Sequence, residues 1–126
     1  MQECGREVEI AGCIPPLGES FRADNKPTEE EGRGAYIPLV QALLPYVDSF
    51  YCETFATAFE SLLCTTIVTE HSQGKPVYVS WTLKELPGAG LRSGESVTEA
   101  FNLVSHLDLA GYMINCCTPE AALAAI

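Results

Sequence analysis

The chain is short of positive charge: 7 Lys and Arg stand against 17 Asp and Glu, a formal net charge of -10 with neutral histidine. Nucleic acid and anionic membrane surfaces are bound by neutralising phosphate with Lys and Arg, so this balance argues against both as partners. The dense acidic cluster Glu29-Glu30-Glu31 reads as a solvated surface. No apolar run approaches the roughly 20 residues that a membrane-spanning helix needs. Cys-x-x-Cys is missing although there are 6 cysteines, which leaves the zinc ribbon and the thioredoxin-type motif without support. Histidine is scarce, and His71 and His106 both fall toward predicted helix C-termini, where a cation complements the dipole. Met1-Gln2-Glu3-Cys4-Gly5-Arg6-Glu7 carries no apolar secretory region. Cys52, Cys64 and Cys116 lie in apolar runs, where free cysteine behaves as a small hydrophobe, so reduced thiols in a cytoplasmic protein are expected.

What is present is enough for one folding unit. The 126 residues are 47% hydrophobic and 19% charged, as in an α/β interior. Four apolar segments of strand length recur, Val8 to Cys13, Ser49 to Glu53, Val77 to Leu83 and Tyr112 to Cys116, and each is followed by a helix signal. Thr28 to Glu31, Thr57 to Glu60 and Ser96 to Glu99 each match the capping box, in which a hydroxyl and a carboxylate satisfy each other's free backbone donors.

The helix from Thr57 carries Phe59, Leu62, Leu63, Ile67 and Val68 at helical spacing and stops at Gly74. The next helix carries Ala100, Phe101, Val104 and Leu107 and is closed by Gly111. Thr118-Pro119-Glu120 starts a last one, with proline at the first helical position. Pro38 is expected to kink or split the first helix. The last three strands begin near Ser49, Val77 and Tyr112, a spacing that suits β-α units and a parallel sheet, and their nearly continuous apolar character predicts cover on both faces.

A closed barrel of eight such units takes roughly 250 residues. The helix begun at Thr118 runs without a stop signal into the apolar string Ala121 to Ile126. The expectation is an interior piece of a larger α/β protein, with residues 1–126 a single partial domain truncated at both ends; a small open α/β sheet is the alternative.

The most informative stretch is Tyr112-Met113-Ile114-Asn115-Cys116-Cys117-Thr118-Pro119-Glu120, where an apolar run ends in a thiol-bearing polar step before a helix start. A thiol at the carboxyl end of a buried strand suits a metal ligand in a barrel enzyme, and an ordinary buried thiol is the plain alternative. Cys117, on the opposite face of a continuing strand, reads as packing. Glu53 is a carboxylate among apolar neighbours that needs compensation, unless it serves the start of the Thr57 helix. Cys52 lies opposite Glu53 and reads as core. Trp81 reads as a core or barrel-wall residue, and Thr82, pointing the other way, faces the site.

The ordered set Ala11-Gly12-Cys13-Ile14-Pro15-Pro16-Leu17-Gly18, Glu53-Thr54-Phe55, Lys75-Pro76-Val77, Ser93-Gly94-Glu95 and Ile114-Asn115-Cys116 resembles the homocysteine S-methyltransferases over nearly the whole chain. The resemblance implies a partial (β/α)8 TIM barrel of about four consecutive β-α units with parallel strands. It implies methyl transfer to the sulfur of homocysteine, giving methionine, with one zinc ion held by three cysteine thiolates and a fourth position open for the substrate sulfur. Zinc would lower the thiol pKa and fix the sulfur toward the donor.

Cys116 matches one ligand of that set. The other two, an adjacent pair after a Gly-Gly step, are absent from this chain. Glu53 would bind the substrate ammonium. Gly12 would let backbone approach the substrate at the rim. Asn115 would orient the metal-bound sulfur or satisfy a strand end. Cys13 stands where family members carry serine, and is read as a rim or packing thiol. A sulfonium donor, S-methylmethionine or S-adenosylmethionine, is favoured by the short loops. An isolated half barrel is expected to be inactive and to self-associate through its open edges. The competing reading is a non-catalytic half-barrel scaffold that has lost the zinc chemistry.

Overall fold

Four strands and four helices alternate along the chain: β1 (Ala11–Ile14), α1 (Glu29–Leu43), β2 (Ser49–Phe55), α2 (Ala58–His71), β3 (Val77–Thr82), α3 (Val97–Val104), β4 (Gly111–Asn115) and α4 (Pro119–Leu123). The computed structural model describes residue 5 and residues 7–126, so Cys4 lies outside the described residues. The strands form one parallel sheet in the order β1-β2-β3-β4. Sequential parallel strands joined by right-handed crossovers carry their helices to one face. The architecture is the four-unit α/β partial barrel read from the sequence.

The helix-facing side of the sheet forms the core. Phe50, Cys52, Val77, Val79 and Trp81 are all buried, and Trp81 donates its Nε1–H to Ser61 Oγ on α2 at 2.9 Å. Burying each large apolar side chain contributes roughly 1.5–3 kcal/mol. On the other face Ala11 and Cys13 of β1 are exposed and Tyr51, Glu53 and Tyr78 only partly buried. The expected cover on both faces is therefore corrected: the described helices cover one face.

Local signals set the helix starts. Thr28 and Ser96 form complete capping boxes with Glu31 and Glu99. Thr118 caps α4 ahead of Pro119, as read from the sequence. The third expected box is corrected. Thr57 accepts from the Glu60 amide, but the Glu60 carboxylate turns away to accept the Leu17 N–H at 2.8 Å, pinning the β1–α1 loop. The α1 C-terminus is held from a distance: Lys75 Nζ donates to the Leu44 carbonyl at 2.8 Å and to the Val47 carbonyl.

Pro38 does not split α1, which runs unbroken from Glu29 to Leu43. Proline removes the bond to the carbonyl four residues back, that of Gly34. Pro38 and Gly34 are both exposed, so water can take that carbonyl. The first strand is Ala11–Ile14 rather than Val8 to Cys13, and α3 ends at Val104, leaving Gly111 as the first residue of β4. Phe59, expected on the buried face of α2, is 50% exposed. Phe101 is also exposed and packs edge-on against Tyr112 at 4.8 Å. Gly32 matters for packing, since a Cβ there would stand 3.0 Å from Leu63 Cδ2, where α1 meets α2.

Candidate functional site at the carboxyl ends of the strands

The chemistry-bearing residues gather where β2, β3 and β4 end. In β2 the register slips: Cys52 pairs with Val79 but Phe55 pairs with Trp81, so Glu53 and Thr54 together face the single residue Ser80. Two residues against one make a bulge, which re-aims side chains. Thr54 takes φ 72, a left-handed conformation that is strained for a β-branched residue. Glu53 is half-buried on the open face. The thiol of Cys13 lies beside its carboxylate and is pushed up to about 11, by partial burial first and then by the Glu53 hydrogen bond and charge. Cys13 therefore stays a neutral thiol near pH 7.

Asn115 bridges β4 to β2 across the end of β3. Its Oδ1 accepts from Ser80 Oγ at 2.8 Å and its Nδ2 donates to Thr54 Oγ1 at 2.8 Å. The ends of β2, β3 and β4 are thus joined by one side chain. Immediately afterwards Cys116 adopts φ 52, leaving the strand. Its carbonyl accepts from Thr82 Oγ1 and from Arg92 Nη2, each at 3.1 Å.

Arg92 also pairs with Glu85 at 2.9 Å and lies over the Phe21 ring at 4.9 Å. Glu85 in turn accepts the Thr118 N–H at 3.2 Å. The β1–α1, β3–α3 and β4–α4 loops are tied together at this rim.

The residues singled out from the sequence fall as follows. Glu53, Thr82, Asn115 and Cys116 lie at the carboxyl ends of the strands. Cys116 is exposed. Thr82 is on the open-face side of β3, opposite Trp81, but is fully buried, and its hydroxyl is engaged by Cys116 and by Arg92 at 3.4 Å. Gly12 is used differently from the expectation: a Cβ there would meet Val47 Cγ1 at 3.0 Å and Leu43 Cδ1 at 3.4 Å, so its missing side chain makes room for the helix layer. Cys52 belongs to the core cluster, and Cys117 is half-buried at the edge of that cluster. The expectation that Cys116 and Cys117 alternate along a continuing strand does not apply, because β4 ends at Asn115.

The carboxylate serving the α2 N-terminus is Glu95, which accepts the Ala58 N–H at 3.0 Å; the alternative role weighed for Glu53 belongs to this residue. The five described cysteines, Cys13, Cys52, Cys64, Cys116 and Cys117, are free. Among the described residues no group of three His, Cys, Asp or Glu side chains could hold a metal ion. An open cavity of about 490 Å³ near Asn25, Thr57, Phe59 and Glu95 is lined by none of Glu53, Asn115 or Cys116. No described helix is long and apolar enough to cross a membrane.

Arg92, Thr54, Glu95 and Glu60 escaped the sequence reading as site or rim residues. Glu60 sits in an apparent capping box and Glu95 in the Ser-Gly-Glu step, so their local patterns concealed long-range partners. A left-handed threonine carries no sequence signal at all.

Parallel strands with helices on one face and polar groups collected at the strands' carboxyl ends define the (β/α) barrel class of enzyme fold. The chain belongs to the homocysteine S-methyltransferase family, whose sequence model matches residues 1–126. A similar solved structure is the homocysteine methyltransferase MmuM from Escherichia coli in its metallated form. The two align with a TM-score of 0.83 at 23% identity, over 98% of this chain and 45% of that one. At that identity the likeness concerns the fold, and the chain spans less than half the length of that relative. No curated protein sequence matches the chain.

Proposed function

We propose that residues 1–126 are the homocysteine-binding part of a cytoplasmic methyltransferase that moves a methyl group from a sulfonium donor, S-methylmethionine or S-adenosylmethionine, to homocysteine. The homocysteine thiol gives up its proton to solvent water, and its sulfur attacks the methyl carbon. The carbon–sulfur bond of the donor breaks, leaving a neutral thioether, and methionine is formed. The observation that carries this reading is the Asn115–Thr54 bond, which ties the strand end before Cys116 to the strand end after Glu53.

Cys116 supplies one ligand to zinc: a soft thiol donor suits that metal, and its exposed position at the carboxyl end of β4 leaves it accessible. Among the described residues no group of three donors exists, so Cys116 would hold zinc only together with donors that those residues do not supply. When bound, zinc lowers the pKa of the substrate thiol so that the nucleophilic thiolate is present at neutral pH. The pKa of the Cys13 thiol, beside Glu53, is raised above its ordinary value by partial burial and by that carboxylate. Glu53 pairs with the substrate ammonium, and each charge offsets the burial cost of the other. Thr82 acts through the Cys116 carbonyl and Asn115 through the strand ends, so both position the site.

In the complete barrel, Cys116→Ser is expected to remove zinc and activity with either sulfonium donor. Glu53→Gln is expected to raise the homocysteine KM by about 10- to 100-fold, the worth of one charged hydrogen bond. Retention of zinc and activity in Cys116→Ser would overturn the assignment. The open sheet face favours a second reading, a self-associating half barrel without chemistry. A preparation that binds no zinc even with the complementary units supplied would select it.

A further inference from the structure

We propose that Arg92 is a positioning residue for Cys116, clamping the left-handed backbone at the end of β4 so that the Cys116 sulfur is presented in one fixed place. The inference rests on the reading of Cys116 as a metal ligand. Left-handed φ is costly for a residue with a Cβ and persists only where surrounding contacts over-determine it. At Cys116 those contacts are on its own carbonyl, held by Thr82 Oγ1 and by Arg92 Nη2, each at 3.1 Å.

Thr82 lies on β3 and is fully buried, so it is a fixed donor. Arg92 is the adjustable one, and it is secured on several sides. Its Nη2 pairs with Glu85 Oε1 at 2.9 Å, its Nε lies 3.4 Å from Thr82 Oγ1, and its Cζ stands 4.9 Å above the Phe21 ring. Its side chain is 20% exposed against 57% for Glu85. A planar guanidinium can bridge these acceptors at once, whereas an ammonium is a single point of charge. Glu85 extends the clamp past the cysteine: its Oε2 accepts the Thr118 N–H and its backbone carbonyl accepts from Thr118 Oγ1 at 3.3 Å. The peptide carrying Cys116 is therefore gripped before and after the turn, with Phe21 bringing the β1–α1 loop into the same contact.

A ligand whose orientation is fixed by neighbouring hydrogen bonds binds metal more tightly than a free one. Losing such a neighbour typically weakens affinity about 10- to 100-fold. Zinc alone is the probe, titrated against a chromophoric chelator in the complete barrel under native conditions. Amide hydrogen exchange at Thr118 is followed in parallel. Arg92→Met is expected to weaken zinc binding by about 10- to 100-fold and to speed Thr118 exchange about tenfold, with Arg92→Lys recovering part of both. A residue that merely supported the fold would lower the thermal midpoint without moving native-state zinc affinity.

A folded Arg92→Met protein with zinc affinity within about twofold of the parent and unchanged Thr118 exchange would overturn the proposal. Should Arg92→Met not fold, Glu85→Gln, which keeps shape but removes the charge holding Arg92, is judged on the same two readouts. Cys116→Ser separates the two claims. If it leaves zinc affinity unaltered, the ligand reading falls, and Thr118 exchange alone then decides whether the clamp exists.

Discussion

Replacing Asn115 with alanine tests the junction on which the site depends. The change removes two hydrogen bonds of 2.8 Å, one from Ser80 Oγ and one to Thr54 Oγ1. Ser80 is 2% exposed, so its hydroxyl is left without water to replace the lost acceptor. Each bond contributes about 1 kcal/mol, and a buried orphan adds about 1–3 kcal/mol, so a total of at least about 3 kcal/mol is expected. In a domain of this size that corresponds to a fall in Tm of roughly 10 °C.

Asn115→Asp isolates the cause. The carboxylate still accepts from Ser80, and the Thr54 hydroxyl can rotate to donate to the second oxygen, so only about 1 kcal/mol is expected to be lost. Urea unfolding followed by circular dichroism, with the denaturant slope checked for constancy, measures both variants. An alanine cost below about 0.5 kcal/mol, or equal costs for the two variants, would show that Asn115 does not join the strand ends.

Two glycines of α1, two positions apart, should respond with opposite signs. Gly34→Ala meets nothing within 4 Å and should stabilise by about 0.8–1 kcal/mol through helix propensity. Gly32→Ala places a methyl 3.0 Å from Leu63 and 3.2 Å from Ile67, so overpacking of about 1–3 kcal/mol should outweigh the same gain; thermal melts of both variants decide it. Burial holds the Glu60 carboxyl above its ordinary value of 4.5. The folded state thus takes up its proton more readily, and Glu60 contributes stability below that value that is lost as pH rises through the folded one. Glu60→Gln should therefore gain stability relative to the parent as pH rises from 4 to 7, and a pH-independent difference would refute the assignment. Expressed alone, the 126-residue chain should self-associate through its open face and the β1 and β4 edges, and a stable monomer in sedimentation would contradict this.

Much of the fold was legible because its signals are local. A hydroxyl and a carboxylate three residues apart announce α1 and α3, and a threonine before proline announces α4, since those groups satisfy the backbone a few atoms away. Apolar runs announce strands, and their repetition with helix signals announces parallel pairing. The same rule misread Glu60, because its partner is the Leu17 amide 43 residues back. It placed Gly111 in the wrong element, because a glycine ends a helix or begins a strand with equal ease.

At the candidate site, Glu53, Asn115 and Cys116 were singled out through their place in an ordered set of motifs. Their mutual arrangement was not. Asn115 reaches Thr54 across 61 residues and Arg92 reaches the Cys116 carbonyl across 24. Left-handed turns stand at Thr54 and Cys116, the residues those contacts engage. The residue string by itself determined which segments become strands and helices, that they alternate, and which thiol and carboxylate stand at strand ends. Tertiary structure alone decided which face stays open, where the β2 bulge falls, and that an arginine grips the cysteine peptide. Those outcomes depend on distances between segments far apart in the chain, and near-neighbour chemistry carries no record of them.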